Sequence, residues 1–190
     1  MSRPIPLDII PSHVYLSQED QDTLFGVGHP MTVSEKLSQP GQYVYEESVD
    51  VFGKLKRSIK LRILGPIWES SHIEITPTEA AFLGLNLEEV KSGDTRAAGK
   101  VRLTGPHGEV ELAKGAIIPR PHLLCAPSDA ESLHVSNGDE IAIDIISEKP
   151  KSMHGLIVRV HPAFRLRVEM HADYARDLWI TRSTHARIRL

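Results

Sequence analysis

The feature that most constrains this chain is a series of short segments in which apolar and polar residues alternate. They are Ser58–Leu64 (SIKLRIL), Lys100–Leu103, Glu109–Leu112, Glu140–Ile146 (EIAIDII), Leu156–Val160 and Phe164–Met170 (FRLRVEM). Successive side chains of an extended chain point to opposite faces, so each segment reads as a strand with one face buried. Turn chemistry separates the segments: Gly65-Pro66, Gly105-Pro106 followed by His107-Gly108, and Asn137-Gly138-Asp139. Many short strands with regular turns predict a mainly β chain, a barrel or a sandwich. Ser147–His154 is polar and contains Pro150, and reads as a hairpin loop, not a domain linker.

Helix signals are few and short. Ser17 stands as an N-cap before Glu19 and Asp20, with Leu24 and Phe25 following. Pro127-Ser128-Asp129 leads into Ala130–Leu133 in the same way. The strongest start is Thr76, an N-cap ahead of Pro77 with Glu79 three residues on, and Gly84 ends that run. The chain also echoes itself. His13 at a strand end is followed seven residues later by Asp20, as His122 is by Asp129, and Arg62–Pro66 parallels Arg102–Pro106. Val168–Asp173 is a third strand-to-helix passage with a histidine, His171. Repeated junctions of this kind point to two related barrels.

Composition sets limits. The 190 residues suffice for one large or two small domains, and a formal net charge of -3 gives no global field that would attract nucleic acid. The single cysteine, Cys125, rules out an internal disulfide and fits a reducing compartment. No stretch approaches the ~20 apolar residues of a membrane helix, and no signal peptide is apparent, so a cytoplasmic, non-membrane protein is expected.

Ten histidines are unusual, and three of them, His13, His122 and His171, sit in similar junctions. Glu74 lies between Ile73 and Ile75, so it faces away from whatever those two cover. Imidazole and carboxylate are the donors zinc commonly takes. A lone histidine at a strand end is more often a polar cap, and the sequence has no HxH or CxxC pair. His72 and Glu74, two apart on one strand face, are the best local pair. Cys125 reads as a small buried hydrophobe before it reads as a ligand. Trp68 could stack on an adenine, although packing is its default role.

Six strings in sequence order carry a resemblance to the zinc-dependent phosphate acyltransferases of the PduL type. Ile10–Ser17 resembles that family's R-H-V-H-L-S. Leu37–Gln42 with Glu46–Val49 resembles L-S-Q-P-G-Q…E-E-T-V. Arg62–Pro66 with Ile73–Thr76 resembles R-V-L-G-P and V-E-I-S. Leu103–Leu112 resembles L-V-G-P-x-G-x-V-x-L, Arg120–Ala130 lies over R-H-I-H-M-S-P-x-D-A, and Val168–His171 matches a final E-M-H. The likeness runs from about residue 7 to about residue 175.

The resemblance implies two antiparallel β-barrels interleaved in sequence and capped by short helices. One would span residues 12–119, and the other residues 1–11 with 120–190. It implies exchange of a propanoyl or acetyl group between coenzyme A and inorganic phosphate at a zinc site between the barrels. Metal ligands would be His13, Glu74, His122 and His171. Glu74 and Arg120 would act in catalysis, and Trp68 would lie at the cofactor-binding position. Acyl-CoA and phosphate would be the partners, and homo-oligomerisation stays open. Family members bound for a microcompartment shell often carry an N-terminal amphipathic helix, and its lack here speaks against encapsulation by that route.

Departures from the family pattern cluster at its functional motifs. Tyr15 and Leu124 replace the second histidine of each pair, Ser12 and Pro121 replace the preceding arginines, and Trp68 stands where an arginine would meet phosphate. Four remaining ligands suffice for one zinc, and two are harder to supply. Tyr15, His72 and Cys125 are the residues that could replace a lost ligand. The other reading is a non-catalytic homologue, a CoA-binding or scaffold protein.

Overall fold

The structure is a computed structural model, and it describes residues 4–147, 150–181 and 184–189. Among the described residues there are fourteen strands and four short helices. The strands are β1 (Ile5–Ile10), β2 (His13–Tyr15), β3 (Val33–Lys36), β4 (Tyr43–Phe52), β5 (Ser58–Gly65), β6 (His72–Glu74), β7 (Glu89–Val90) and β8 (Gly99–Thr104). They continue with β9 (Glu109–Pro119), β10 (His122–Cys125), β11 (Glu140–Ile146), β12 (Lys151–Val160), β13 (Arg167–His171) and β14 (His185–Ile188). The helices are α1 (Gln18–Phe25), α2 (Pro77–Phe82), α3 (Pro127–Leu133) and α4 (Ala172–Asp177).

The chain divides into two compact units. One holds residues 12–37 and 41–119, and the other holds residues 1–11, 38–40 and 120–190. In the first, β4, β5, β2, β6, β9 and β8 pair in turn, and β8 pairs back onto β4, closing a six-stranded ring with β3 and β7 added outside it. In the second, β1, β13, β10, β12, β11 and β14 close on themselves. The mainly β architecture of two barrels with short helices is thus present. Pairing within each barrel is mixed, and it is mixed in the same way. β2–β5 and β6–β9 are parallel in one, and β10–β12 and β1–β13 are parallel in the other, while every remaining ring pair is antiparallel.

The match extends to chain order. The first barrel runs β2, α1, β4, β5, β6, α2, β8, β9, and the second runs β10, α3, β11, β12, β13, α4, β14. The place of β9 is filled in the second barrel by β1, from the start of the chain. The second barrel is therefore a circular permutation of the first.

Each barrel buries its own core. Val14, Val49, Val51, Ile63, Ile73 and Leu103 belong to the first, all at most 1% exposed. Ile5, Leu123, Ile143, Ile145, Val158 and Val168 fill the second, all at 0%. Of the alternating segments, Phe164–Met170 is the one that shifts, because Phe164–Leu166 lie outside the ladder and the strand begins at Arg167. There the Gln39 side chain donates to the Arg165 carbonyl (3.1 Å) and accepts from the Arg165 N–H (3.0 Å), which takes up hydrogen bonds a ladder would need. The loop expected over Ser147–His154 is shorter, since β12 starts at Lys151; Glu148 and Lys149 lie outside the described residues.

The helix starts follow from local chemistry. Ser17 caps α1 through the Asp20 N–H, and α2 has a complete capping box between Thr76 and Glu79. At the start of α3, Ala126 offers no side-chain cap. Among the described residues no helix is long and apolar enough to cross a membrane.

Candidate functional site

In the barrel of residues 12–119, β2 and β6 run antiparallel with His13 opposite Glu74 and Tyr15 opposite His72. The intervening Val14 and Ile73 point into the core at 0% exposure, so the four flanking side chains share the other face. That face is itself buried. His13, Tyr15, His72 and Glu74 are each 5% exposed or less. Nε2 of His72 lies 3.6 Å from Oε1 of Glu74, and Nε2 of His13 lies 3.9 Å from Oε2. The Gly93 N–H also donates to Oε1 (3.0 Å). Gly93 adopts φ +81°, a left-handed conformation that favours glycine, and it lies against the Trp68 ring.

Glu74 is a carboxylate held against burial. Burial acts to raise its pKa, but His72, the charge of His13 and a hydrogen bond from Ser92 outweigh it and hold the group at about 2. Tyr15 and Trp68 wall this cluster. Their rings are 4.5 Å apart, Tyr15 meets the His13 ring edge-on at 4.7 Å, and Trp68 meets His72 at 5.1 Å. Trp68 is thus half-buried among its own barrel's aromatic rings.

In the other barrel the same strand pair recurs. β10 and β13 are antiparallel with His122 opposite Glu169 and Leu124 opposite Arg167, and Leu123 and Val168 point into the core. Nε2 of His122 is 3.3 Å from Oε2 of Glu169, and its Nδ1 is 3.1 Å from the Arg120 carbonyl. His171, 5% exposed, lies two residues beyond Glu169 on the same strand face and packs its ring on Tyr174 at 4.5 Å. The Arg167 guanidinium is paired with Asp8 (3.1 Å). Arg120 is engaged too, with Glu140 and with the Gly155 carbonyl, both at 2.8 Å. A phosphate would have to compete with Glu140 for it.

The structure therefore brings His13 and Glu74 together within one barrel, and sets His122 and His171 on neighbouring strands of the other. Glu169 is a site-facing residue that sequence reading passed over, although its E-x-H spacing to His171 was visible. Cys125 is buried behind its strand, and burial followed by the charge of Asp129 pushes its thiol pKa up, which suits packing rather than nucleophilic attack.

Among the described residues, no group of three or more His, Cys, Asp or Glu side chains stands ready-made to hold a metal ion. The donor set of the first barrel nonetheless fits zinc in kind. It offers two imidazoles and one carboxylate, and the Nε2 of His72 is buried without a hydrogen-bond partner.

Comparison with known proteins places the chain in a family. The family model for phosphate propanoyltransferase matches residues 6–177. The phosphate propanoyltransferase of Citrobacter freundii is 38% identical over 172 residues, covering 90% of this chain and 80% of that protein. Those of Clostridioides difficile and Salmonella typhimurium are 36% and 37% identical, over 85% and 90% of this chain and 77% and 80% of theirs. The chain belongs to the phosphate propanoyltransferase family.

Proposed function

We propose that this protein exchanges a short acyl group, of the propanoyl or acetyl class, between coenzyme A and inorganic phosphate in the cytoplasm. The observation that carries this reading is the cross-strand pairing of His13 with Glu74 and of His122 with Glu169, found in a chain 38% identical to a phosphate propanoyltransferase over 172 residues. In the exchange a phosphate oxygen bonds to the acyl carbon, the carbon–sulfur bond breaks, and the sulfur leaves as free CoA.

His13, Glu74, His122 and His171 would hold zinc, the donor set the family resemblance implies. Bound zinc would supply Lewis-acid polarisation of the thioester carbonyl and offset the charge of phosphate. The chain's own residues prepare that chemistry. Glu74 stays ionised, Gly93 fixes one of its oxygens, and Tyr15 with Trp68 keeps bulk water from the His72–Glu74 side. Trp68 gives no positive charge to phosphate, and Arg120 supplies one only if it leaves Glu140.

A second reading, a homologue that binds CoA without turning it over, is favoured by Leu124 and by the engagement of Arg120 and Arg167 in carboxylate pairs. One assay separates the two. Free thiol released from propanoyl-CoA in the presence of phosphate is followed with the purified chain. Phosphate-dependent turnover that Glu74→Ala or His122→Ala reduces by ~1000-fold, about 4 kcal/mol of barrel-held transition-state stabilisation, supports acyl transfer. No phosphate-dependent thiol release at high protein concentration overturns it.

A further inference from the structure

The barrel of residues 12–119 carries a second concave surface, toward the other end of β5 from the His13–Glu74 cluster. His13 lies beside Arg62 on β5, whereas this groove opens past the Phe52–Ser58 pair, where β4 turns back into β5. Its volume is about 580 Å³, the size of a small-molecule site.

Cations converge on it. Lys54 and Lys56 come from the turn between β4 and β5, and Lys100 and Arg102 come from β8. Val101 points into the core at 2% exposure, so Lys100 and Arg102 on either side of it share the outer face. Phe52 is the cross-strand partner of Arg102, and its ring centre lies 4.6 Å from the guanidinium. Two residues beyond that pair, β8 presents Lys100 and the chain leaving β4 presents Lys54. The ladder thus ends with like charges brought toward one groove, an arrangement that costs free energy on a sheet face.

Compensation is incomplete. Among the described residues that line the groove, Glu111 is the one acid, so four cations against it leave an excess of three positive charges. Glu111 pairs with Lys100 at 2.7 Å, and Glu109 pairs with Arg102. Among the described residues neither Lys54 nor Lys56 is in an ion pair. The turn that carries these two lysines is pinned. The Leu55 N–H donates to the Leu83 carbonyl at the end of α2 (3.2 Å), and Gly53 lies so close to the same oxygen that a Cβ there would clash with it.

The ligand this groove suits is small and carries several negative charges over a short span. A chain of phosphate groups offers oxygens to all four cations at once through charge-assisted hydrogen bonds. An acidic protein segment needs a wider surface, since stable protein interfaces bury about 800 Å² on each partner. We propose that the groove binds an oligophosphate, either the triphosphate of a nucleotide or an inorganic polyphosphate, through Lys54, Lys56, Lys100 and Arg102. The site is separate from the acyl-transfer site, and its existence is independent of whether the chain turns over acyl-CoA.

The test is calorimetric titration of the full-length chain with inorganic tripolyphosphate in low-salt, magnesium-free buffer. The wild type is expected to bind, and the double variant Lys54→Gln with Lys56→Gln to bind at least about tenfold more weakly, with its affinity for CoA unchanged. ATP titrated in parallel separates the two sources, and either ranking upholds the oligophosphate site. Tighter binding of ATP assigns the groove to a nucleotide, and equal or weaker binding assigns it to inorganic polyphosphate. No binding by the wild type overturns the proposal, as does equal affinity in wild type and variant. A poly-glutamate peptide that binds as tightly as tripolyphosphate, with the same sensitivity to the double variant, overturns it in favour of an acidic protein segment. A matching loss of CoA affinity in the variant overturns it by assigning the groove to the acyl donor. If the variant does not fold, backbone amide NMR of the wild type decides. The amides of Lys54–Lys56 shift on addition of tripolyphosphate, and unmoved amides overturn the proposal.

Discussion

The strand pair β2–β6 and the strand pair β10–β13 are the same construction with different second side chains. Each sets a histidine opposite a glutamate and, one step along, a replaced position opposite a second side chain. Tyr15 faces His72, which is capable of ligation. Leu124 faces Arg167, which is not, and which Asp8 already holds at 3.1 Å. The difference teaches that a side chain on a barrel strand is judged by what stands across the ladder from it. In one barrel the neighbour is a buried imidazole beside Glu74. In the other the neighbour has been drawn into an ion pair.

The sharpest test of this contrast is also the largest effect. Glu74→Ala leaves two buried imidazoles and the Gly93 N–H without their common acceptor, and phosphate-dependent turnover is expected to fall by ~1000-fold. Arg167→Ala, on the other strand pair, is expected to leave turnover within about threefold, because Asp8 already holds that guanidinium; a loss as deep as that of Glu74→Ala would break the comparison. Next in size is the shared scaffold. Leu123 and Val14 are equivalent core residues, both at 0% exposure. Urea unfolding should show a loss of about 3 kcal/mol for Leu123→Ala and about 2 for Val14→Ala, and a negligible change in either would show that the two cores are not equivalent.

A smaller effect separates the helices that follow these strands. Ser17 caps α1 and its counterpart Ala126 leaves α3 uncapped. Ser17→Ala should cost about 1 kcal/mol, while Ala126→Ser should stabilise by about 0.5 kcal/mol, both read as shifts in urea midpoint. The smallest effect belongs to β4, whose Tyr45 has no counterpart on β11. Burial, then Tyr43, raises the Tyr45 phenol from 10.0 to about 12. The raised folded value favours the neutral phenol, so its contribution is full below pH 10.0 and is lost as pH rises toward 12. Absorbance titration should show a tyrosine ionising near 12 in the folded protein, absent from Tyr45→Phe.

Much of this was legible in the sequence, for physical reasons. Alternation located β5 and β11 because one face of each is buried and the other is wet. The capping box of α2 could be read from Thr76, Pro77 and Glu79 alone, since all its partners are local. Strands β2 and β10 could not be found that way. Their residues are buried on both faces, so HVY and HLLC carry no alternation. The site divided along the same line. His13 and Glu74 were visible as candidates, but the facing of Tyr15 and His72 depends on a register between segments more than 50 residues apart. Arg120 was expected to act in catalysis, and its pairing with Glu140 is likewise a product of distant segments.

The permuted order of the second barrel also fixes a schedule. The ring of residues 12–119 has all its strands once β9 has been made. Strand β1, synthesised before any of them, must wait for β13 and β14, more than 150 residues later. At 5–20 residues per second that delay is on the order of ten seconds. Throughout it Ile5, Leu7, Ile9 and Ile10 form an apolar strand with no ladder to join, while the barrel made after it closes. A segment made before the rest of its barrel is among the last to find its partners, and it is there that a chaperone, or a misplaced strand, would have the longest opportunity to bind.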